Sequence, residues 1–370
     1  MKAFDEIAAR VLRFIDDHAA SDAVVDEDAF GALAVAVFAF QYEHNSAYRR
    51  LCDRRGRTPD RVSDWRGVPA VPTAAFKTVD LECAPPERIF LTSGTTRGGE
   101  MRGRHPIPTL ELYRRAALAH FRAMVLPDGV RPRIVGLLGS PTTLPHSSLS
   151  QMVEWLRTDL ADGDGEYLID EHGLDASAAT ERLAAIASEG RPVCIIGWRV
   201  AFTAVLEHCR QTGRTIALPA DSRIVDTGGA KGGRALSDAG FLASSWHVFS
   251  VPGYYCVNEY GMTELCSQLY DDVLRSRFDG SNAERRKVGP AWMRTRAVDP
   301  DTLAARPDGE AGILCHLDLA NAGSVLAVQT EDLGVVEEGR LRLQGRLPDA
   351  EPRGCALALA ELLDGSTRRA

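Results

Sequence analysis

A segment rich in hydroxyl and glycine residues, at positions 92–99, places the tightest constraint on how this 370-residue chain folds. It follows directly on the apolar run Ile89-Phe90-Leu91. Glycines allow backbone N–H groups to approach an anion closely, and the hydroxyl groups add hydrogen-bond donors. The segment therefore predicts a phosphate-binding loop that follows a strand. Its spacing differs from G-x-x-x-x-G-K-[ST], which excludes a Walker-type loop. The residues assigned to phosphate binding are Thr92, Ser93, Gly94, Thr95, Thr96 and Gly98.

The rest of the chain alternates between short apolar runs and segments with apolar residues at helical spacing. Strands are predicted at residues 88–91, 133–138, 193–197 and 222–226, and beyond residue 285 at 312–316, 325–329 and 340–343. Helices are predicted at residues 4–17, 28–52, 108–124, 147–160 and 200–212. In this prediction the phosphate loop passes directly from its strand into the helix at 108–124. The alternation predicts an α/β fold with a largely parallel sheet, in which ligands bind beyond the carboxyl ends of the strands.

Composition excludes several classes of function. The formal net charge is −8, and the basic residues form no stripe with interleaved aromatics, so we expect no nucleic-acid partner. The eight cysteines form no C-x-x-C pair, which argues against zinc and against a disulfide framework. The longest apolar run, residues 29–40, is shorter than the roughly 20 residues that a membrane span needs. We therefore expect a cytoplasmic protein without a membrane span.

Four further motifs follow the loop along the chain: Asp-Thr-Gly-Gly-Ala-Lys at 226–231, Asn-Glu-Tyr-Gly-Met-Thr-Glu at 258–264, Thr-Glu-Asp at 330–332 and Gly-Arg-Leu-Pro-Asp at 345–349. In their order and content the five segments resemble the signature motifs of the adenylate-forming superfamily. The resemblance spans residues 92 to 349 and implies the large α/β domain of those enzymes.

Within that superfamily the chain most resembles the acyl-protein synthetases of bacterial luminescence, also called long-chain fatty-acid protein ligases. Three features carry this resemblance: Ser147-Ser148-Leu149 ahead of Met152, the Gly-Gly-x-Lys at 228–231, and Arg-Gly-Cys-Ala-Leu at 353–357. The resemblance implies an adenylate-forming domain at residues 1–340, with a helical region at 1–65. A short segment at 341–370 would follow the hinge.

The implied reaction is the ATP-dependent activation of a carboxylic acid, a fatty acid in this family, to an acyl-adenylate. Because negative charge spreads over phosphate oxygens in such a transfer, Mg2+ is expected. By resemblance, Thr263 and Glu264 contact the α-phosphate and the metal, with Glu264 as metal ligand. Asp332 would bind the ribose hydroxyls and Arg346 would hold the nucleotide at the hinge. Further nucleotide-binding positions are Tyr260, which would stack on adenine, and Gly228, Gly229 and Gly261.

The end of the chain carries a second chemical group, Cys355. In the luminescence ligases a cysteine at this position accepts the acyl group and passes it to a reductase subunit, so the resemblance implies a partner acyl reductase or another acyl-accepting protein. Arg353 is two residues away and offers a route to a lowered thiol pKa. The late lysine that catalyses adenylation in most of the superfamily cannot be placed, since no lysine follows Lys287. Lys231 is the remaining lysine candidate.

Each assignment has a structural alternative. Thr263 and Glu264 are also the residues of an ordinary helix start. Asp332 is also a common turn residue, Lys231 a common solvated lysine, and Cys355 a small apolar residue that begins a hydrophobic run. Two other functions remain open: a ligase that releases the adenylate to coenzyme A, a carrier protein or an amine, and a non-catalytic nucleotide-binding subunit.

Overall fold

The computed structural model describes residues 2–20, 26–92, 102–228, 235–347 and Leu362. The helices are α1 (Lys2–Asp17), α2 (Glu27–His44), α3 (Ser46–Arg54), α4 (Leu110–Val125), α5 (Ser148–Asp159), α6 (Ala176–Ser188), α7 (Arg199–Thr212), α8 (Asp238–Phe249) and α9 (Val273–Asp279). The strands are β1 (Val71–Pro72), β2 (Arg88–Leu91), β3 (Arg104–Ile107), β4 (Arg133–Gly139), β5 (Glu166–Ile169), β6 (Val193–Trp198), β7 (Arg223–Thr227), β8 (Cys256–Tyr260), β9 (Leu269–Asp271), β10 (Lys287–Val288), β11 (Met293–Val298), β12 (Ala311–Asp318), β13 (Ala327–Glu337) and β14 (Arg340–Arg346).

The chain divides into two compact units. Unit 1 comprises Met1–His120, Met262–Gln268 and Lys287–Ala370, and unit 2 comprises Phe121–Gly261 and Leu269–Arg286. The segment with the Tyr-Gly-x-Thr-Glu motif passes from unit 2 into unit 1 between Gly261 and Met262.

Unit 2 contains a sheet with the strand order β5-β4-β6-β7-β8-β9. The strands from β5 to β8 pair in parallel, and β9 runs antiparallel to β8. Strands β4 and β6 are apolar almost throughout because both faces of a parallel sheet are covered. Gly197 in β6 is required by this packing, since a Cβ there would lie 2.3 Å from the Leu137 carbonyl oxygen.

Unit 1 is built on antiparallel pairing in the order β11-β12-β13-β14-β10, with β1 added in parallel to β13. Of the aromatic residues at helical spacing on α2 and α3, Phe38, Phe40 and Tyr48 are buried and Tyr42 is half-buried. The sequence pattern at 28–52 predicted one helical stretch, which the structure divides in two. Asn45 ends α2 and caps α3, because its side chain accepts a hydrogen bond from the Tyr48 N–H.

The expected order of strand, loop and helix around residue 92 is wrong in one respect. Strand β3 lies between the loop and α4, and it pairs antiparallel with β2 to form a two-stranded sheet. The pattern of β3, Arg-His-Pro-Ile, gives little strand signal because its proline and charged residues are unusual in strands, and Pro106 is tolerated only at the edge of a sheet.

The predicted α/β fold class is confirmed. The largely parallel pairing that was expected is found in unit 2, whereas the strands of unit 1 pair mainly antiparallel. In the parts of the chain that the structure describes, no helix has the length and apolar character needed to cross a bilayer. The domain division predicted at residue 340 stays a prediction.

Candidate active site

The Tyr-Gly-x-Thr-Glu segment begins at the end of β8 and continues as a turn. The Leu265 N–H donates to the Met262 carbonyl at 3.2 Å, and residues 263–264 lie in a turn. The alternative in which Thr263 caps the first turn of a helix is therefore excluded. Tyr260 and Gly261 belong to unit 2, and Thr263 and Glu264 belong to unit 1.

Glu264 is a buried carboxylate with only 8% of its surface exposed. Its pKa is raised to about 7, chiefly by burial and to a smaller extent by the nearby carboxylates of Glu331 and Asp332. The Glu264 backbone and the positive charge of Arg346 lower the pKa but offset only part of the increase. Near neutral pH a cation or a hydrogen-bond donor supplied by a ligand would therefore stabilise the ionised form of this carboxylate.

Asp332 and Arg346 lie opposite each other on two paired strands of unit 1. They are register partners in the antiparallel ladder of β13 and β14, and Arg346 forms an ion pair with Glu331. The Thr330 hydroxyl accepts a hydrogen bond from the Asp332 N–H at 3.0 Å and donates to the Leu314 carbonyl at 3.0 Å. Gly345 precedes Arg346 with a φ of 133°, a conformation that favours glycine.

Three residues predicted from three separate motifs thus come together in unit 1: Glu264, Asp332 and Arg346. The three charged groups interact, because Asp332 raises the pKa of Glu264 and Arg346 lowers it. Sequence reasoning assigned no role to Glu331, although it stands within a quoted motif. Its ion pair with Arg346 orients that guanidinium.

A magnesium ion fits the oxygen donors of this region. Among the described residues no group of three or more histidine, cysteine, aspartate or glutamate side chains is arranged to hold a metal. Mg2+ does not need such a group, because it usually binds through one or two carboxylates together with substrate phosphates and water. Glu264, whose ionised form is disfavoured by burial and by two other carboxylates, is a suitable ligand.

In unit 2 the predicted nucleotide residues Gly228 and Tyr260 stand at the ends of neighbouring strands. Strands β7 and β8 pair in parallel with Thr227 opposite Glu259, so the residues that follow are adjacent in register. The Asn258 amide donates to the Asp226 carboxylate at 2.7 Å and to the Gly228 carbonyl at 3.4 Å. Gly228 has a φ of 79°, and no atom of the described residues lies within 4 Å of the position that its Cβ would take.

A buried ion pair supports this strand end. The Arg199 side chain at the start of α7 donates to the Asp226 carboxylate at 2.5 Å, with 4% and 2% of the two side chains exposed. Arg199 also contacts Asp238 at 3.0 Å. Sequence reasoning assigned no role to Asn258 or Asp226, and only their place in the quoted motifs pointed to them.

Thr92 is the one predicted phosphate-loop residue that lies within the described residues. Its hydroxyl accepts a hydrogen bond from the Gly103 N–H at 2.8 Å, and its own N–H donates to the Gly103 carbonyl at 2.9 Å. Thr92 thereby closes the base of the loop. The other predicted site residues that lie outside the described residues are Ser93, Gly94, Thr95, Thr96, Gly98, Gly229, Lys231 and Cys355.

The seven cysteines in the described part of the chain are free thiols and all are buried. Burial raises the pKa of Cys52, Cys194 and Cys256 to about 12 and raises that of Cys83 and Cys266 as well. These five thiols stay protonated at neutral pH and are poor nucleophiles.

Comparison with known proteins identifies relatives over most of the chain. The long-chain-fatty-acid–luciferin-component ligases of Aliivibrio fischeri and Vibrio harveyi are each 22% identical to it, over 345 and 347 residues. The matches cover 88% and 89% of this chain and 86% of each relative.

Solved structures of adenylate-forming ligases have the same fold. A crystal structure of 2-hydroxyisobutyryl-CoA ligase with 2-HIB-AMP, in the postadenylation state, matches with a TM-score of 0.62 at 16% identity, over 87% of this chain and 68% of that one. An open conformation with 2-HIB-AMP and CoA gives a TM-score of 0.61 at 16% identity, over 87% and 75%.

The family model that describes acyl-protein synthetases (LuxE) matches residues 130–364. This match includes the three features on which the resemblance to the acyl-protein synthetases rested, at 147–152, 228–231 and 353–357, and that resemblance is confirmed. The chain belongs to the acyl-protein synthetase family.

Proposed function

We propose that this protein is an ATP-dependent ligase that activates a carboxylic acid, of the fatty-acid class, as an acyl-adenylate. The acyl group then passes to the thiol of Cys355 and on to a partner acyl reductase. The observation that carries the proposal is the grouping of Glu264, Asp332 and Arg346 in unit 1, since these residues come from three motifs far apart in sequence. Family membership implies the use of ATP.

In the first step a carboxylate oxygen of the acid attacks the α-phosphorus of ATP. The bond from this phosphorus to the bridging oxygen breaks, and pyrophosphate leaves. Mg2+, held by the Glu264 carboxylate, would neutralise charge on the phosphate oxygens. The Thr263 hydroxyl donates to an α-phosphate oxygen, Asp332 accepts hydrogen bonds from the ribose hydroxyls, and the Arg346 guanidinium contacts the nucleotide.

The remaining assignments stay predictions. Tyr260 stacks on adenine, and Gly228, Gly229 and Gly261 allow close approach of the nucleotide. The phosphate loop supplies Thr92, Ser93, Gly94, Thr95, Thr96 and Gly98, and Lys231 supplies a positive charge. The adenylate-forming domain at residues 1–340, the segment at 341–370 and the cytoplasmic location are also predictions.

In the second step the Cys355 thiolate attacks the acyl carbonyl, the bond to AMP breaks, and a thioester forms. Support comes from the other cysteines, because the seven in the described part of the chain are buried and five have raised pKa values. The two relatives named above are ligases of a long-chain fatty acid and a luciferin component.

Acyl labelling tests the second step. The protein is incubated with ATP, Mg2+ and a radiolabelled fatty acid, and the label released by neutral hydroxylamine is measured in the wild type, Cys355→Ala and Cys209→Ala. We expect a labelled thioester in the wild type and in Cys209→Ala and none in Cys355→Ala. Label that is unchanged in Cys355→Ala contradicts the assignment. Exchange of pyrophosphate into ATP without any protein labelling indicates an external acceptor such as coenzyme A.

A further inference from the structure

The main chain around Glu264 is held by buried polar side chains from distant parts of unit 1. Segment Thr263–Ser267 has no helix or strand of its own. Its carbonyl and N–H groups are bonded by His105, Asp318 and Asn321, which are 1%, 0% and 1% exposed. We call these three side chains the clamp.

Asn321 contacts the segment on both sides of Leu265. Its amide nitrogen donates to the Glu264 carbonyl at 2.8 Å, and its amide oxygen accepts from the Cys266 N–H at 2.9 Å. A primary amide is suited to this task because it offers a donor and an acceptor in one plane. The orientation of the Asn321 amide follows from these two bonds.

Asp318 holds the next residues of the segment. Its carboxylate accepts from the Cys266 N–H at 3.0 Å and from the Ser267 hydroxyl at 2.7 Å. It also accepts from the Ala320 N–H at 3.0 Å, which ties the same carboxylate to the 3-10 turn that carries Asn321. Trp292 completes the arrangement by donating its indole N–H to the Ser267 hydroxyl at 3.0 Å.

His105 holds the other end of the segment. Its Nδ1 lies 2.7 Å from the Thr263 carbonyl and donates to it, since a carbonyl oxygen can only accept. Burial lowers the pKa of His105 to about 4, so the imidazole is neutral at physiological pH. The carbonyls of Thr263 and Glu264 are therefore each fixed by a buried donor.

The clamp orients two successive peptide groups at the residues assigned to the α-phosphate and the metal, and it leaves their side chains out of its bonds. We propose that Asp318 and Asn321 are positioning residues that fix the main chain of Glu264, so that its carboxylate is directed for adenylation. This inference rests on the proposed function. If the same bonds only stabilised the fold, kcat per folded molecule would stay unchanged when they are removed.

The test compares Asn321→Ala with Ser324→Ala. Ser324 is a matched control because it lies just after the same turn and is buried. Its hydroxyl donates one hydrogen bond, to the Leu81 carbonyl at 2.7 Å, which lies outside segment Thr263–Ser267. Three quantities are measured: the midpoint of urea unfolding, kcat and KM for acid-dependent exchange of pyrophosphate into ATP, and hydrogen exchange of the Cys266 amide.

For a positioning role we expect kcat to fall about 10- to 100-fold in Asn321→Ala, with the KM for the acid nearly unchanged, because misplacing a reacting group by about 1 Å has effects of this size. Ser324→Ala should keep wild-type kcat although its unfolding midpoint falls too. The Cys266 amide keeps the Asp318 carboxylate as an acceptor in Asn321→Ala, so it should lose part of its protection in that variant and none in Ser324→Ala. Equal kcat per folded molecule in both variants overturns the proposal.

A second variant and a second readout cover the cases in which Asn321→Ala does not fold or the wild type is inactive. If Asn321→Ala does not fold, Asp318→Asn replaces it, because this change keeps the shape and weakens the acceptor of the Cys266 N–H. Wild-type kcat in Asp318→Asn then overturns the positioning role. If the wild type catalyses no exchange with any acid, the proposed function fails. The clamp is then judged by the Cys266 amide alone, and protection that is no lower in Asn321→Ala than in Ser324→Ala overturns it.

Discussion

Two buried carboxylates, Asp226 in unit 2 and Glu264 in unit 1, have opposite electrostatic surroundings. Asp226 accepts from the Arg199 guanidinium at 2.5 Å and from the Asn258 amide at 2.7 Å. Glu264 stands near two more carboxylates and has its pKa raised to about 7. The comparison separates a carboxylate that the fold itself satisfies from one whose charge is left for a ligand to satisfy.

The largest expected effect is on the satisfied carboxylate. Asp226→Ala leaves the Arg199 guanidinium buried without its main partner, and we expect the free energy of unfolding to fall by about 3–5 kcal/mol. Urea unfolding measures this change. Asp238→Ala is the matched control, because Asp238 contacts the same arginine at 3.0 Å with 86% of its side chain exposed. The control should lose less than about 1 kcal/mol. Equal losses of stability in both variants would contradict the conclusion that Asp226 is the main buried partner of Arg199.

Removing the charge of Glu264 should have the opposite effect and stabilise the folded protein at high pH. The folded state holds the Glu264 proton more tightly than the unfolded chain, so the contribution of Glu264 to stability falls as the pH rises from about 4.5 to about 7. Above that range the ionised form costs up to about 3 kcal/mol. Glu264→Gln should therefore be more stable than the wild type at pH 8 and about equal to it at pH 4. Unfolding at both pH values measures this difference, with the exposed Glu310→Gln as control. A Glu264→Gln variant that is less stable at pH 8 contradicts the account.

A smaller effect is expected at Arg346. Its guanidinium lowers the pKa of Glu264, so Arg346→Gln should move the acidic limb of the exchange rate to higher pH. It should also raise the KM for ATP about 10-fold, which corresponds to about 1.4 kcal/mol. Arg342→Gln, an exposed arginine on the same strand β14, serves as control. A pH profile that is identical in both variants would show that Arg346 does not act on Glu264.

Sequence patterns predicted secondary structure best in segments where a single physical cause, such as burial on both faces, determines the residue types. The apolar runs of β4 and β6 identified buried parallel strands, because strands covered on both faces carry few polar residues. The motif at 258–264 pointed to Glu264 through its resemblance to the superfamily signature, and the role of this residue stays a prediction. Strand β3 was missed because Pro106 and charged neighbours mask its pattern.

Long-range polar contacts were beyond prediction. Asn321 and Glu264 are 57 residues apart and belong to no common motif, so only the folded chain reveals their hydrogen bond. The same holds for Arg199 and Asp226, which are 27 residues apart. A buried arginine at the start of a helix gives no sign in the sequence of which carboxylate it meets.

Acid-dependent exchange of labelled pyrophosphate into ATP tests the central claim most directly, because it reports adenylation before any acyl acceptor is known. The measurement uses a panel of fatty, aryl and hydroxy acids with Mg2+, on the wild type and Glu264→Gln at pH 8. We predict exchange with the fatty-acid class in the wild type and a loss of about 100-fold or more in a folded Glu264→Gln. No exchange with any acid, or equal exchange in both proteins, would contradict the assignment of Glu264 to an adenylating site.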